Sequence, residues 1–159
     1  MDSKQLYQEV ILDHNKKPRN YGALPDATHR SEGVNPLCGD HIRLDLRVDD
    51  DRIGAIAFEG QSCAICKACA SMMTTVVKGA AIADAERLVD GFRAMATGRA
   101  TPEELRALGR LTVFAGVKDL PSRVKCAVLP WHTLHAALHS QGSVSTEGDA
   151  DPAVNAGRT

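Results

Sequence analysis

The chain has 159 residues, 43% apolar and 25% charged, with a formal net charge of −1, which is the size and balance of one globular domain with a modest core. That balance offers no global field for nucleic acid or an anionic membrane, and no apolar run reaches the roughly 18 residues a bilayer span needs. The opening residues, Met1-Asp2-Ser3-Lys4-Gln5, lack the basic segment and apolar stretch of a signal peptide, so a cytoplasmic location is expected.

Residues 4–15 read as a helix with Leu6, Tyr7, Val10, Ile11 and His14 on one face. Asn15-Lys16-Lys17-Pro18-Arg19-Asn20 ends it with turn formers and basic charge. Residues 21–37 read as an irregular, mobile connection. Between 41 and 48 the chain alternates: Ile42, Leu44, Leu46 and Val48 face one way, with His41, Arg43, Asp45 and Arg47 between them. That is a half-buried strand; Asp49-Asp50-Asp51-Arg52 turns it, and Ile53 to Gly60 returns as the second arm of a hairpin. A helix is expected over 64–78, with Gly79 just past its end. Another is expected over 84–97, with Ala85, Leu88, Val89 and Phe92 on its apolar face and Gly98 beyond. Thr101-Pro102-Glu103-Glu104 carries a capping box with proline at the first helical position, so a short helix starts at 102. Residues 111–120 read as a loop or short extended stretch. The last helix covers 122–139, with Val124, Val128, Trp131, Leu134 and Leu138 as its stripe. From Ser140 onward there is almost no apolar material, so residues 1–139 are expected to form the domain and 140–159 a disordered tail. The sum is an α+β fold, a small antiparallel sheet covered by helices.

Five cysteines stand at 38, 63, 66, 69 and 126. In a reducing compartment an odd count argues for metal binding or thiol chemistry over a disulfide framework, although Cys66 and Cys69 also suit buried small hydrophobes. Cys38 and Cys63 are equidistant from the turn between Asp50 and Asp51, and equidistant residues of an antiparallel pair end up opposite each other. Asp40 follows Cys38 across Gly39, which permits a sharp turn. Two thiols and a carboxylate therefore converge at the open end of the hairpin. Zinc takes S and O ligands in a tetrahedron, and Cys126 is the remaining candidate for the fourth place; spacing alone does not bring it there. Cys63, Cys66 and Cys69 repeat at intervals of three, like the opening of a bacterial ferredoxin cluster run. The fourth cysteine with a following proline is missing, since Ala127 follows Cys126. Pro130 removes one N–H from the last helix and predicts a kink there. His132, His135 and His139 share one helix, but no carboxylate joins them in the sequence, and the polar face of a terminal helix accounts for them. Met72 and Met73 are core or surface filler.

These residues resemble a known family, the U-type iron-sulfur cluster assembly proteins (SufU/IscU, like the N-terminal part of NifU). Leu6-Tyr7 through Asp13-His14 and Lys17-Pro18-Arg19-Asn20 look like its N-terminal signature. Asn35-Pro36-Leu37-Cys38-Gly39-Asp40 resembles its first ligand motif. Phe58-Glu59-Gly60-Gln61-Ser62-Cys63-Ala64-Ile65 with Ala70-Ser71-Met72-Met73-Thr74 resembles the second, and Arg123-Val124-Lys125-Cys126-Ala127 with Trp131 the third. The SufU type fits better than the IscU type. IscU-like scaffolds are shorter and carry histidine where Lys125 stands, and the extra helical material between 84 and 110 is also like SufU. Cys66 and Cys69 stand where the family usually has small polar residues, and Ser62 where it has glycine.

The resemblance implies a zinc site made by Cys38, Asp40, Cys63 and Cys126. It also implies a sulfur carrier of sulfurtransferase type, in which Cys38 accepts persulfide sulfur from a SufS-type cysteine desulfurase and a downstream SUF cluster scaffold receives it. A histidine of the desulfurase would take the place of Cys38 on zinc. Arg123 and Lys125 flank Cys126 and could steer a persulfide anion or be merely solvated. A monomer or weak homodimer is expected. Two alternatives stay open: a scaffold that itself assembles a [2Fe–2S] cluster or binds iron, with Cys66 and Cys69 as extra ligands, and a zinc module that only binds partners.

Overall fold

The computed structural model describes residues 2–147. In chain order they form helix α1 (Ser3–Lys16), strands β1 (His29–Asn35), β2 (Asp40–Asp49) and β3 (Arg52–Gln61), and helices α2 (Ala64–Val77), α3 (Ile82–Ala96) and α4 (Pro102–Leu108). A 3-10 helix (Gly109–Asp119), helix α5 (Pro121–Leu138) and a short strand β4 (Ser143–Ser145) follow. The strands make one sheet in the order β3-β2-β1-β4. α5 packs on β1 and β2, α2 lies between α1 and α5, and α3 packs on α5. This is the expected α+β architecture.

The hairpin turns through Asp50 and Asp51, both with left-handed backbone, the conformation of the tight primed turns that match strand twist. Pairing runs from Asp49 opposite Arg52 to His41 opposite Gln61, with a bulge between Arg47 and Val48. The bulge moves the register by one residue, so the open end stands one step from the equidistant pairing. Leu44, Leu46 and Phe58 of the sheet meet Met73, Phe92, Phe114, Trp131 and Leu134 in the core. Trp131 stacks on Phe92 with ring centroids 5.0 Å apart. α4 carries the capping box of Thr101 and Glu104, with Pro102 in the first turn.

Three expectations are corrected. Residues 21–37 are not an irregular connection throughout. Gly22 donates to Phe58 O, Leu24 N to Asp45 Oδ2 at 3.0 Å and Thr28 N to Leu46 O, and His29–Asn35 pairs antiparallel with β2. The buried face of β1 is Ser31, Gly33 and Asn35, so its alternation carries no apolar signature. Gly33 is where α5 crosses: a Cβ there would clash with Thr133 Oγ1 and touch Leu129. Of residues 111–120, all but Leu120 lie in the 3-10 helix, which buries Leu111, Phe114 and Val117. That spacing of three matches the three residues per turn of this helix. Beyond Ser140 the chain is not structureless throughout. β4 pairs in parallel with β1, Val144 beside Gly33, so the sheet is mixed at this edge. Residues 148–159 of the expected tail lie outside the described residues. No helix among the described residues is long and apolar enough to cross a membrane.

Candidate metal centre

Four donors meet where the open end of the hairpin touches α5. Cys38 lies in the loop between β1 and β2, exposed to solvent, with its N–H on Asn35 O at 3.2 Å. Gly39 follows in a left-handed conformation, φ +73°, which glycine adopts without steric cost, and the chain turns inward. Asp40, at the start of β2, is buried. Its Oδ1 accepts the Cys63 N–H at 2.6 Å, and its Oδ2 lies 4.0 Å from Cys63 Sγ. Cys63 caps the N-terminus of α2, its sulfur accepting the Cys66 N–H at 3.4 Å. Cys126, in the second turn of α5, is fully buried, with Sγ 3.4 Å from Cys38 Sγ.

The structure thus brings together the four residues that the sequence singled out. Ligand atoms of Cys38, Asp40 and Cys126 all lie within 4.8 Å of one another, and Cys63 stands at the edge of that triad, beside Asp40. Burial pushes the Cys126 thiol far up, and the neighbouring thiols and the Asp40 carboxylate push it further. A cation among three sulfurs and a carboxylate crowded in this way would offset the repulsion between like charges. Lys125 does not supply it, since its ammonium is held by Glu147 Oε2 at 2.6 Å. Arg123 is exposed in the first turn of α5. The donor set itself fits a divalent cation that accepts thiolate, zinc or iron before magnesium or calcium.

The other thiols lie deeper. Cys66 packs with Ile42, Cys126 and Leu129 as an apolar floor below the site. Cys69 belongs to the main core and donates to Ala127 O at 3.1 Å. Burial raises both thiols. Met72 and Met73 are core residues, and α5 runs on through the buried Pro130.

Asn35 is the residue that sequence reasoning left out of the site. Fully buried, it donates through Nδ2 to Asp40 Oδ2 at 3.1 Å and to Cys126 Sγ at 3.6 Å. Its Oδ1 accepts from Thr146 Oγ1 at 3.1 Å. One amide therefore orients two of the four donors and is itself fixed by the segment after β4. An amide side chain just ahead of Pro36-Leu37-Cys38-Gly39-Asp40 was the available signal; nothing in the sequence pointed to Thr146.

Residues 6–127 match the model of the family described as the NifU-like N terminal domain. The chain belongs to this family. Over 133 residues this NifU-like domain is 41% identical to the zinc-dependent sulfurtransferase SufU of Bacillus subtilis (strain 168), covering 84% of this chain and 89% of the relative. It is 40% identical over 133 residues to the iron-sulfur cluster assembly scaffold protein IscU of Streptococcus pyogenes serotype M1, covering 84% and 82%. The crystal structure of FiSufU from Fervidobacterium islandicum AW-1 superposes with a TM-score of 0.79 at 35% identity, covering 86% of this chain and 99% of that one.

Proposed function

We propose that this domain serves iron-sulfur cluster assembly in the cytosol as a zinc-dependent sulfur acceptor, receiving persulfide sulfur on Cys38 from a SufS-type cysteine desulfurase. A downstream SUF cluster scaffold would then receive the sulfur. The observation that carries this reading is the asymmetry of the site. Cys38 is exposed on a glycine-turned loop, while Cys126 and Asp40 are buried behind it. The relationship to a protein named as a zinc-dependent sulfurtransferase supports it.

Asp40, Cys63 and Cys126, with Cys38, would hold zinc, which when bound keeps its coordinating thiols deprotonated. Asn35 orients Asp40 and Cys126, and the α2 N-terminus fixes Cys63. The Cys38 loop offers its sulfur to a partner. The Cys38 thiolate attacks the outer sulfur of the desulfurase persulfide, a new S–S bond forms on Cys38, and the desulfurase cysteine leaves as a thiolate. No net oxidation is required. Cys66 and Cys69 take no part.

The test is single-turnover transfer from a SufS-type desulfurase supplied with cysteine, read by intact and peptide mass spectrometry. A one-sulfur increment on Cys38 is expected, retained in Cys66→Ala and Cys69→Ala and lost in Cys38→Ser. Transfer to Cys38→Ser at the wild-type rate would falsify the assignment. A second reading, a scaffold for a [2Fe–2S] cluster, draws on Cys66 packed against Cys126 beneath the site and on the relative named as a scaffold. Anaerobic reconstitution separates the two. Iron with inorganic sulfide and visible charge-transfer bands marks the scaffold, and about one zinc per chain without them marks the acceptor.

A further inference from the structure

The histidines of α5 are not all accounted for by a solvated helix face. His135 and His139 are one turn apart, their ring centroids 4.3 Å from each other. The sequence shows no carboxylate near them, but α3 packs on α5 and supplies one. Glu86 Oε1 lies 3.3 Å from His135 Nδ1, and Glu86 Oε2 lies 2.9 Å from His139 Nε2. Ligand atoms from all three residues fall within 4.8 Å of one another. The side chains of His135, Glu86 and His139 are 18%, 29% and 50% exposed, so the cluster has a closed inner side and an opening past His139.

We propose that Glu86, His135 and His139 form a second metal site, separate from the thiol centre, that takes a first-row divalent cation of the zinc class. Two imidazole nitrogens and a carboxylate oxygen are the N and O donors such ions accept, and a water would complete four-coordination. Histidines at i and i+4 present both rings on one helix face, the arrangement helical zinc motifs use. For metal bonds of 2.0–2.1 Å the edge of a tetrahedron is about 3.3 Å. The Glu86 Oε1–His135 Nδ1 separation of 3.3 Å already matches that edge, Glu86 Oε2 lies 2.9 Å from His139 Nε2, and ligand atoms spread over no more than 4.8 Å close on one ion by side-chain rotation. His135 stands nine positions after Cys126, about half a turn round the helix and about 13.5 Å along it, and the two groups have no ligand in common. Their chemistry differs as well, since this one has no sulfur. The bound ion would replace two hydrogen bonds that already tie α3 to α5, and would strengthen that tie.

The full-length protein, Glu86→Gln and His139→Ala are each dialysed against excess zinc and the bound metal is counted. Glu86→Gln keeps the side-chain shape, and His139 is half exposed at the helix end, so both variants fold. The wild type is expected to hold one more zinc than either variant, or to hold that zinc at least about tenfold more tightly, the size of effect that even outer-shell partners produce. Because the reading is a difference between wild type and variant, it stands apart from the fate of the thiol centre. Loading the same site with cobalt should add weak visible bands without a thiolate-to-cobalt band in the near ultraviolet. Equal zinc content and affinity in all three proteins would overturn the proposal, as would a thiolate band accompanying the additional metal.

Discussion

Asn35→Ala tests whether one buried amide organises the metal centre. The substitution removes a donor to the Asp40 carboxylate, a donor to Cys126 Sγ and an acceptor for Thr146. A hydrogen bond to a charged group contributes about 1.5–3 kcal/mol and a neutral one about 1 kcal/mol. The sulfur contact, at 3.6 Å, adds little. Asn35 is fully buried, so water does not readily replace it, and the expected loss of stability is about 2–4 kcal/mol. Outer-shell partners of a metal site shift its affinity by about 10–100-fold, and zinc affinity should fall within that range. Urea unfolding in the presence of a chelator reads the first quantity, and competition with a chromophoric chelator the second. Asn35→Asp keeps the volume but places another anion beside Asp40, and should be worse than alanine on both. A stability loss below about 0.5 kcal/mol together with unchanged zinc affinity would refute the assignment of Asn35 as the organiser.

Burial keeps Cys66 and Cys69 protonated, so native alkylation followed by mass spectrometry should label Cys38 and spare these two until the protein unfolds. Labelling of either at the rate of Cys38 would contradict the packing. His14, buried against Ser71 Oγ at 2.7 Å, is held below its ordinary pKa of 6.5 first by burial and then by the charge of Arg19. The folded state therefore resists its protonation. Its contribution to stability is complete above about 6.5 and declines as the pH falls from there towards the folded value. Urea midpoints at pH 7.5 and 5 should differ more for wild type than for His14→Gln, and equal differences would rule the mechanism out. Trp131→Ala empties the position stacked on Phe92 and should cost about 3–5 kcal/mol in chemical denaturation. A cost under about 1 kcal/mol would mean the core closes over the gap.

Where apolar residues mark a period, the chain was legible. The hairpin, α2, α3 and α5 follow from Leu44, Leu46, Phe58, Phe92 and Trp131, and the capping box of α4 from Thr101 and Glu104. The gathering of Cys38, Asp40 and Cys63 followed from hairpin geometry alone, whereas Cys126 was only the remaining candidate for the fourth place, which spacing could not bring to the site and the resemblance to the family implied. β1 escaped because its buried face is Ser31, Gly33 and Asn35, small or polar for reasons that lie on α5 and in the site. β4 is three residues long with one buried apolar side chain, too short for any periodicity. The 3-10 helix hid behind a repeat of three where a helix repeat near 3.6 is sought. Glu86 could not be joined to His135 from the sequence, because the contact runs between helices 49 positions apart.

The contact between Thr146 and Asn35 spans 111 positions of the chain, and it makes the candidate metal centre late to complete during synthesis. A ribosome delivers about 5–20 residues per second. The hairpin bearing Cys38, Asp40 and Cys63 therefore emerges seconds before Cys126, and Thr146 emerges later still. In that interval the nascent chain presents two thiols and a carboxylate, a weaker and less selective trap for metal than the finished set. The full donor set that would select an ion is complete only once α5 has brought in the buried sulfur and the segment after β4 has locked the amide of Asn35 in place.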